Sequence, residues 1–281
     1  MAFAENYRRQ VALLVRILPT ITEEECFALK GGTAINLFVR DLPRLSVDID
    51  LTYLPVKERG ESLEEISAGL RRISDRLKIA DKRIRIGETA DNGGFVRKLV
   101  VRDPTAMVKI EVTPVLRGCV YAPELRHVSP SVEEAFGFAE ARVVSFADLY
   151  GGKLVAALDR QHPRDLFDVR DLLAYEGFTD EVRIAFLIYL ASHDRPMAEV
   201  ITPPHKDIAE VYERHFFGMT GDTVPLAELV ATRERMITEL IGDMPRRHRA
   251  ADRSLSSTDF HFRTKSSADT ATLPPGQITR C

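Results

Sequence analysis

Residues Leu29–Leu51 read LKGGTAINLFVRDLPRLSVDIDL, and the decisive part is the end, Val47-Asp-Ile-Asp-Leu51. Apolar and acidic residues alternate strictly there, which is the pattern of a half-buried β-strand. Asp48 and Asp50 therefore leave the same face, about 7 Å apart along the strand. Two anions so placed repel each other and call for compensation. A divalent cation supplies it, because oxygen-only ligation by carboxylates suits Mg²⁺ or Mn²⁺, whose remaining ligands come from water and substrate phosphates. Upstream, Gly31 and Gly32 lack Cβ atoms, so backbone N–H groups can approach a phosphate closely, and Thr33 is placed to cap a helix over 34–39. Either feature alone is common on solvated strands and at ordinary helix starts. Together, in this order, they describe a triphosphate cradle beside a metal site.

The rest of the chain sets bounds on that reading. Its 281 residues are 44% hydrophobic and 29% charged, which suits a globular protein of one large domain or two modest ones. No run approaches a membrane span, and MAFAENYRRQ at the N-terminus has no apolar stretch behind its charges, so a cytoplasmic location with no membrane partner is expected. Cys26, Cys119 and Cys281 have no metal-ligand spacing and are expected to stay reduced. A net charge of -3 gives no global attraction to nucleic acid. Any such binding needs a local patch, and Arg71, Arg72, Arg76, Lys78, Lys82, Arg83 and Arg85 form either that or a solvated face. The histidines form no paired motif, and His162 fits a helix start or a loop.

Helical spacing over 5–18, stopped by Pro19, predicts an opening helix, and 61–77 predicts an amphipathic one with Ile66, Leu70, Ile73 and Leu77 on its stripe. Strand-like runs follow at 83–86, 95–101 and 106–115, separated by Asp91-Asn-Gly-Gly94 and Asp103-Pro104. A helix followed by adjacent strands predicts an α+β fold with a mixed sheet. From Ser145 the pattern turns helical, over 145–159, 163–175, 180–192, 204–216 and 225–242. The expected division is an α+β domain over 1–140 and a helical domain over 141–244 that completes the active site. Composition predicts disorder over 245–281, which is rich in Ser, Thr, Arg and Asp.

Further chemistry is legible in three places. In Met107-Val-Lys-Ile-Glu-Val-Thr113 alternation puts Lys109 and Glu111 on one face. Glu111 can complete a metal site, activate an attacking hydroxyl, or simply pair with Lys109 on an exposed strand. Gly151 and Gly152 inside a helical segment cost on the order of 1 kcal/mol each. That cost points to close approach of a ligand or of another helix, with Lys153 following as a cation for a β- or γ-phosphate. Asp165 and Asp168 lie three apart on a helix; Asp165, near its start, suits a structural role and Asp168 a functional one. Ser46 shares the face of Asp48 and Asp50 if the strand extends that far.

Gly31-Gly32-Thr33, Arg44-x-Ser-x-Asp-Ile-Asp-Leu51, Lys109-Ile-Glu-Val112, Leu149-x-Gly-Gly-Lys153 and Arg164-Asp-Leu-Phe-Asp168, in that order, resemble the motifs of the AbiEii/AbiGii toxin family. That family includes the mycobacterial MenT toxins. The resemblance implies a DNA polymerase β-like nucleotidyltransferase core followed by a helical part. It implies a metal-dependent toxin that moves NMP from an NTP to tRNA or another RNA. By similarity Asp48 and Asp50, with Glu111 as a third acidic position, bind the metal. Lys153 and Asp168 serve catalysis, and Gly31, Gly32, Thr33, Arg44, Ser46 and Lys109 bind the nucleotide. A cognate antitoxin is implied as partner, and in some relatives a kinase-like antitoxin modifies the position of Ser46. The residues also leave open a small-molecule or protein acceptor, and a nucleotide-binding interaction protein without chemistry.

Overall fold

The computed structural model describes residues 3–114, 116–221 and 223–245 and the backbone of 279–280. The expected disorder over 245–281 lies almost entirely outside the described residues. Helix α1 (Glu5–Thr22) leads to strand β1 (Phe27–Lys30), a short helix α2 (Gly31–Ala34) that continues as a π-turn to Val39, and strand β2 (Asp48–Tyr53). Helix α3 (Arg59–Ala80), a meander β3 (Arg85–Ala90), β4 (Val96–Arg102), β5 (Met107–Val112), and a two-residue strand β6 (Leu116–Arg117) follow. Then come β7 (Glu124–His127), α4 (Pro130–Phe136) and β8 (Glu140–Val143). The helical half comprises α5 (Phe146–Arg160), α6 (Pro163–Tyr175), α7 (Asp180–Ala191), α8 (Met197–Ile201), α9 (Ala209–His215) and α10 (Leu226–Met236). Thr279–Arg280, β9, pairs with β6.

Seven strands make one mixed sheet in the order β3-β4-β5-β2-β1-β8-β7. β2 runs parallel to β5 and antiparallel to β1, and β1 runs parallel to β8. The fold is α+β, as the element order predicts. The expected boundary between residues 140 and 141 falls inside β8, so a strand of the sheet crosses it. Alternation divides the two faces: Ile49, Leu51, Val108 and Ile110 are at most 2% exposed on the core side, where α1 contacts β5 and α3 contacts β4, while Asp48, Asp50, Lys109 and Glu111 take the other face. The stripe Ile66, Leu70, Ile73 and Leu77 is buried against the same core.

Two local expectations are corrected. Pro19 does not end α1; the helix runs on to Thr22, because burial of Ile21 outweighs the one backbone bond that a proline in the last turn removes. Thr33 does not cap a helix, since α2 begins at Gly31 with Lys30 at its N-cap. The Thr33 hydroxyl instead donates to the Asp48 carbonyl and lies 3.0 Å from Ser46 Oγ. Ser145 does cap α5, accepting from the Asp148 N–H at 3.0 Å.

Gly151 marks a close crossing of α5 and α7. A Cβ there would sit 2.8 Å from the Ala185 carbonyl carbon and the Phe186 nitrogen. Helix packing therefore accounts for this glycine. Gly151→Val is expected to cost about 2–3 kcal/mol by overpacking. Gly60→Ala, where a Cβ meets open space, is expected to gain about 0.5–1 kcal/mol; urea denaturation measures both.

Candidate active site

The register of three strands assembles the charged face. Lys30 on β1 stands opposite Asp50 on β2, which stands opposite Glu111 on β5, and one rung along, Asp48 stands opposite Lys109. These five side chains line one wall of a cavity of about 580 Å³. Gly31, Gly32 and Ser46 line it too, as do Lys153 and Arg160 from α5 and Arg164 and Asp165 from α6. The cavity thus lies between the sheet and the helical half, with α2 and its free N–H groups at the junction.

Gly31 has φ +73°, and a Cβ on it would lie 2.5 Å from Asp50 Oδ2. A Cβ on Gly32 would lie 2.7 Å from the Arg44 guanidinium and 3.0 Å from Ser46 Oγ. Both glycines are therefore required by close approach, and the start of α2 is packed directly on Asp50.

Behind the helical wall sits a buried ion network. Asp168, 1% exposed, accepts from Arg44 through both oxygens at 2.8 and 2.6 Å and from Asn36 Nδ2 at 3.0 Å. Lys153 lies 3.0 Å from Asp168 and 2.8 Å from Asp165, and Arg160 binds Asp165 at 2.6 and 2.9 Å. Burial opposes ionisation of Asp168, but Arg44 and Lys153 outweigh it and hold the carboxyl below its usual range. Lys153 and Arg160 do the same for Asp165. Across the cavity burial pushes Asp50 up, with Lys30 opposing and Asp48 adding to the effect. Burial likewise pushes the Lys30 ammonium down against the pull of Asp50 and Glu111. His162 caps α6 by accepting from the Arg164 N–H at 3.1 Å, and burial with Arg164 pushes its imidazole down to about 4.

The sequence-derived residues separate into those at the cavity and those behind it. Asp48, Asp50, Lys109, Glu111, Gly31, Gly32, Ser46, Arg44 and Lys153 line it. Thr33 is fully buried and directed to β2, while Asp168 lies beneath the wall. Asp165, read as the more structural of the two helix aspartates, lines the cavity. Glu111 pairs with Lys98 at 3.1 Å, and no cluster of three potential metal-ligating residues forms among the described residues. Two adjacent oxygen donors with no His or Cys beside them still fit a hard divalent cation that takes water and phosphate oxygens as its other ligands. Sequence reasoning missed Lys30, Arg160 and Asn36 as parts of this region. Lys30 adjoins Gly31-Gly32, which was its one available signal; Asn36 and Arg160 carried none.

A strand of paired aspartates beside a glycine-led helix start, on an α+β sheet, is an arrangement that suits a nucleotidyltransferase. The family model of the nucleotidyl transferase AbiEii toxin of type IV toxin–antitoxin systems matches residues 12–266, and the chain belongs to that family. Among solved structures it is similar to MenT4, a nucleotidyltransferase toxin from Mycobacterium tuberculosis H37Rv, with a TM-score of 0.65, 18% identity and 88% of each chain covered. No curated protein matches the sequence. Among the described residues no helix is long and apolar enough to cross a membrane.

Two predictions follow from this geometry. Gly31→Ala is expected to displace Asp50 and lower nucleotide transfer about 100-fold, as ångström-scale misplacement does, with the far-ultraviolet circular dichroism retained. Asp168→Ala strands Arg44 and is expected to cost about 3–5 kcal/mol. Because the folded pKa values of Asp165 and Asp168 are depressed, their contribution is present above about pH 4 and lost as pH falls through the folded values. Thermal melts of wild type should drop steeply below pH 4, and those of Asp168→Ala less so.

Proposed function

We propose that this toxin transfers a nucleoside monophosphate from an NTP to the 3′ end of tRNA or another RNA, with Mg²⁺ or Mn²⁺ held by Asp48 and Asp50. The observation that carries this reading is the packing of Gly31 against Asp50, which makes the phosphate-binding helix start and the carboxylate pair a single unit. When bound, the cation neutralises triphosphate charge and the charge developing at the α-phosphorus. The chain's own groups supply the rest. N–H groups at the start of α2 receive phosphate oxygens. Lys153, Arg160 and Arg164 face the cavity with Arg44 beside them, and these cations stabilise the departing pyrophosphate; Asp148, Asp159, Asp165 and Asp194 line the cavity too. Lys153 and Arg44 are held in place by Asp168, which acts as a positioning residue.

The acceptor hydroxyl approaches from the β5 side, where Glu111 is the carboxylate placed to take its proton, with Lys98 supporting the negative charge. Lys109 is the cation beside the incoming strand. A type IV system implies a cognate antitoxin. Ser46, two residues from Asp48 and on the cavity wall, is the position at which a kinase-like antitoxin would silence the site, because a phosphate carries about −1.5 to −2 charge beside two carboxylates.

The test incubates purified protein with the divalent cation, each α-labelled NTP in turn and total tRNA. Label is expected on RNA with at least one NTP and is expected to vanish in Asp48→Ala, whose melting temperature should stay near that of wild type. Absence of label on RNA with all four NTPs overturns the acceptor assignment.

A further inference from the structure

The open face of β3 and β4, which continues outward from the cavity-lining Lys109 and Glu111 of β5, carries positive charge at Arg85 and Arg102 that the donor site does not use. The register places Arg85 directly opposite Arg102, Gly87 opposite Val100, and Thr89 opposite Lys98. On the next strand Lys98 faces Glu111, Val100 faces Lys109 and Arg102 faces Met107. All these residues share the face of Asp48 and Asp50. Arg85, Arg102 and Lys109 are exposed, whereas the other face of these strands, with Leu99, Val101, Val108 and Ile110, is fully buried.

The acids nearby are committed elsewhere. Glu111 pairs with Lys98. Glu88 is turned to α3, where it accepts from Ser74 at 3.2 Å. Asp91 pairs with Arg97, and Asp103 with Arg16. Arg85 donates only to the Lys82 and Ile84 carbonyls, and Arg102 only to Met107 Sδ. Among the described residues neither arginine, nor Lys109, has a carboxylate partner. The face therefore holds Arg85, Lys98, Arg102 and Lys109 against Glu111, with Asp48 opposite Lys109 at its border with β2, on a chain whose net charge is -3. Like charges directly opposite on neighbouring strands destabilise a sheet, and an anion between Arg85 and Arg102 removes that cost. By contrast, Arg72 and Arg76 pair with Glu24 and Arg83 with Asp81, so these members of the basic run seen in the sequence are already neutralised.

We infer that this face is the track for the acceptor strand, with Arg85 and Arg102 clasping RNA phosphates upstream of the 3′ hydroxyl presented at Asp48. Strand spacing puts the Cα of Arg102 about 12 Å and that of Arg85 about 16 Å from Asp48, a few nucleotides from the reacting end. Gly87 leaves open space where a side chain would stand, so the backbone of a single strand can lie flat across the sheet. The inference rests on the RNA acceptor proposed above and adds where that RNA lies.

Its test compares wild type with the Arg85→Gln/Arg102→Gln double variant of the full chain. Binding of end-labelled total tRNA is followed by filter retention between 50 and 200 mM KCl, and transfer kinetics are measured with the NTP that labels RNA. Loss of two phosphate contacts is expected to raise KM for tRNA about tenfold or more with kcat little changed. It should also reduce the magnitude of the salt slope by about 1.5–2. NTP affinity without RNA should not change, and the melting temperature should not fall, since a like-charge pair is relieved. Unchanged KM and salt slope in a wild type that labels tRNA overturn this inference alone and leave the face to an acidic protein partner. A fall in NTP affinity or in melting temperature without a change in tRNA KM also overturns it. A wild type that neither binds nor labels tRNA overturns both proposals.

Discussion

Asp168 has almost no exposed surface, yet its two oxygens serve Arg44, Lys153 and Asn36 together. That interaction joins the loop before β2 to helices α5 and α6, and Asn36 extends it to the Gly32 carbonyl at 2.9 Å. The start of α2 and the helical half are thus fixed to each other through one carboxylate. Burying a carboxylate with two cations is a poor way to gain stability, because desolvation offsets most of the Coulomb attraction and an apolar trio would serve as well. What the arrangement does give is position. Arg44 and Lys153 both reach the cavity, and long basic side chains lose much of their rotamer freedom only when a rigid partner holds them.

The cavity is electrically mixed. On the helical side Lys153, Arg160 and Arg164 stand among Asp148, Asp159, Asp165 and Asp194, with Arg44 reaching in from the loop before β2, and on the sheet side Asp48, Asp50 and Glu111 face Lys30 and Lys109. Burial pushes Asp50 towards neutrality and Lys30 away from its charged form, so the charges beside the start of α2 are held at a desolvation cost.

How much of this was legible in the sequence depends on whether a signal was local. The Asp-x-Asp strand, the Lys109/Glu111 face, the stripe of α3 and the whole of α6 have periodic patterns of their own, and they appear as read, within a few residues. β1, β7 and β8 are four residues each, too short for periodicity to register, and β1 becomes a strand through its neighbours β2 and β8. Thr33 illustrates the opposite failure. Its residue type fits a cap, but a glycine with φ +73° had already started the helix, so the hydroxyl turned inward to β2. Which of Asp165 and Asp168 lines the cavity was not legible either, since both lie within one turn of α6 and both are 1% exposed. What decides between them is that Arg44 arrives from 124 residues away and takes Asp168, a contact with no trace in local spacing.

One row of residues ties these points together. Lys30, Asp50, Glu111 and Lys98 stand side by side across β1, β2, β5 and β4, in the charge order plus, minus, minus, plus. The outer lysines each offset one carboxylate, which lets two acids occupy neighbouring strands without a metal and keeps the sheet foldable before any ligand binds. Lys98 pairs with Glu111 at 3.1 Å and Lys30 stands opposite Asp50, so each carboxylate of the row has a cation on its outer side. Beyond Lys98 the row ends at Thr89, and a later rung of the same face carries Arg102 and Arg85 with Met107 and no acid, so the same strand register that concentrates negative charge on β2 and β5 leaves positive charge on β3 and β4.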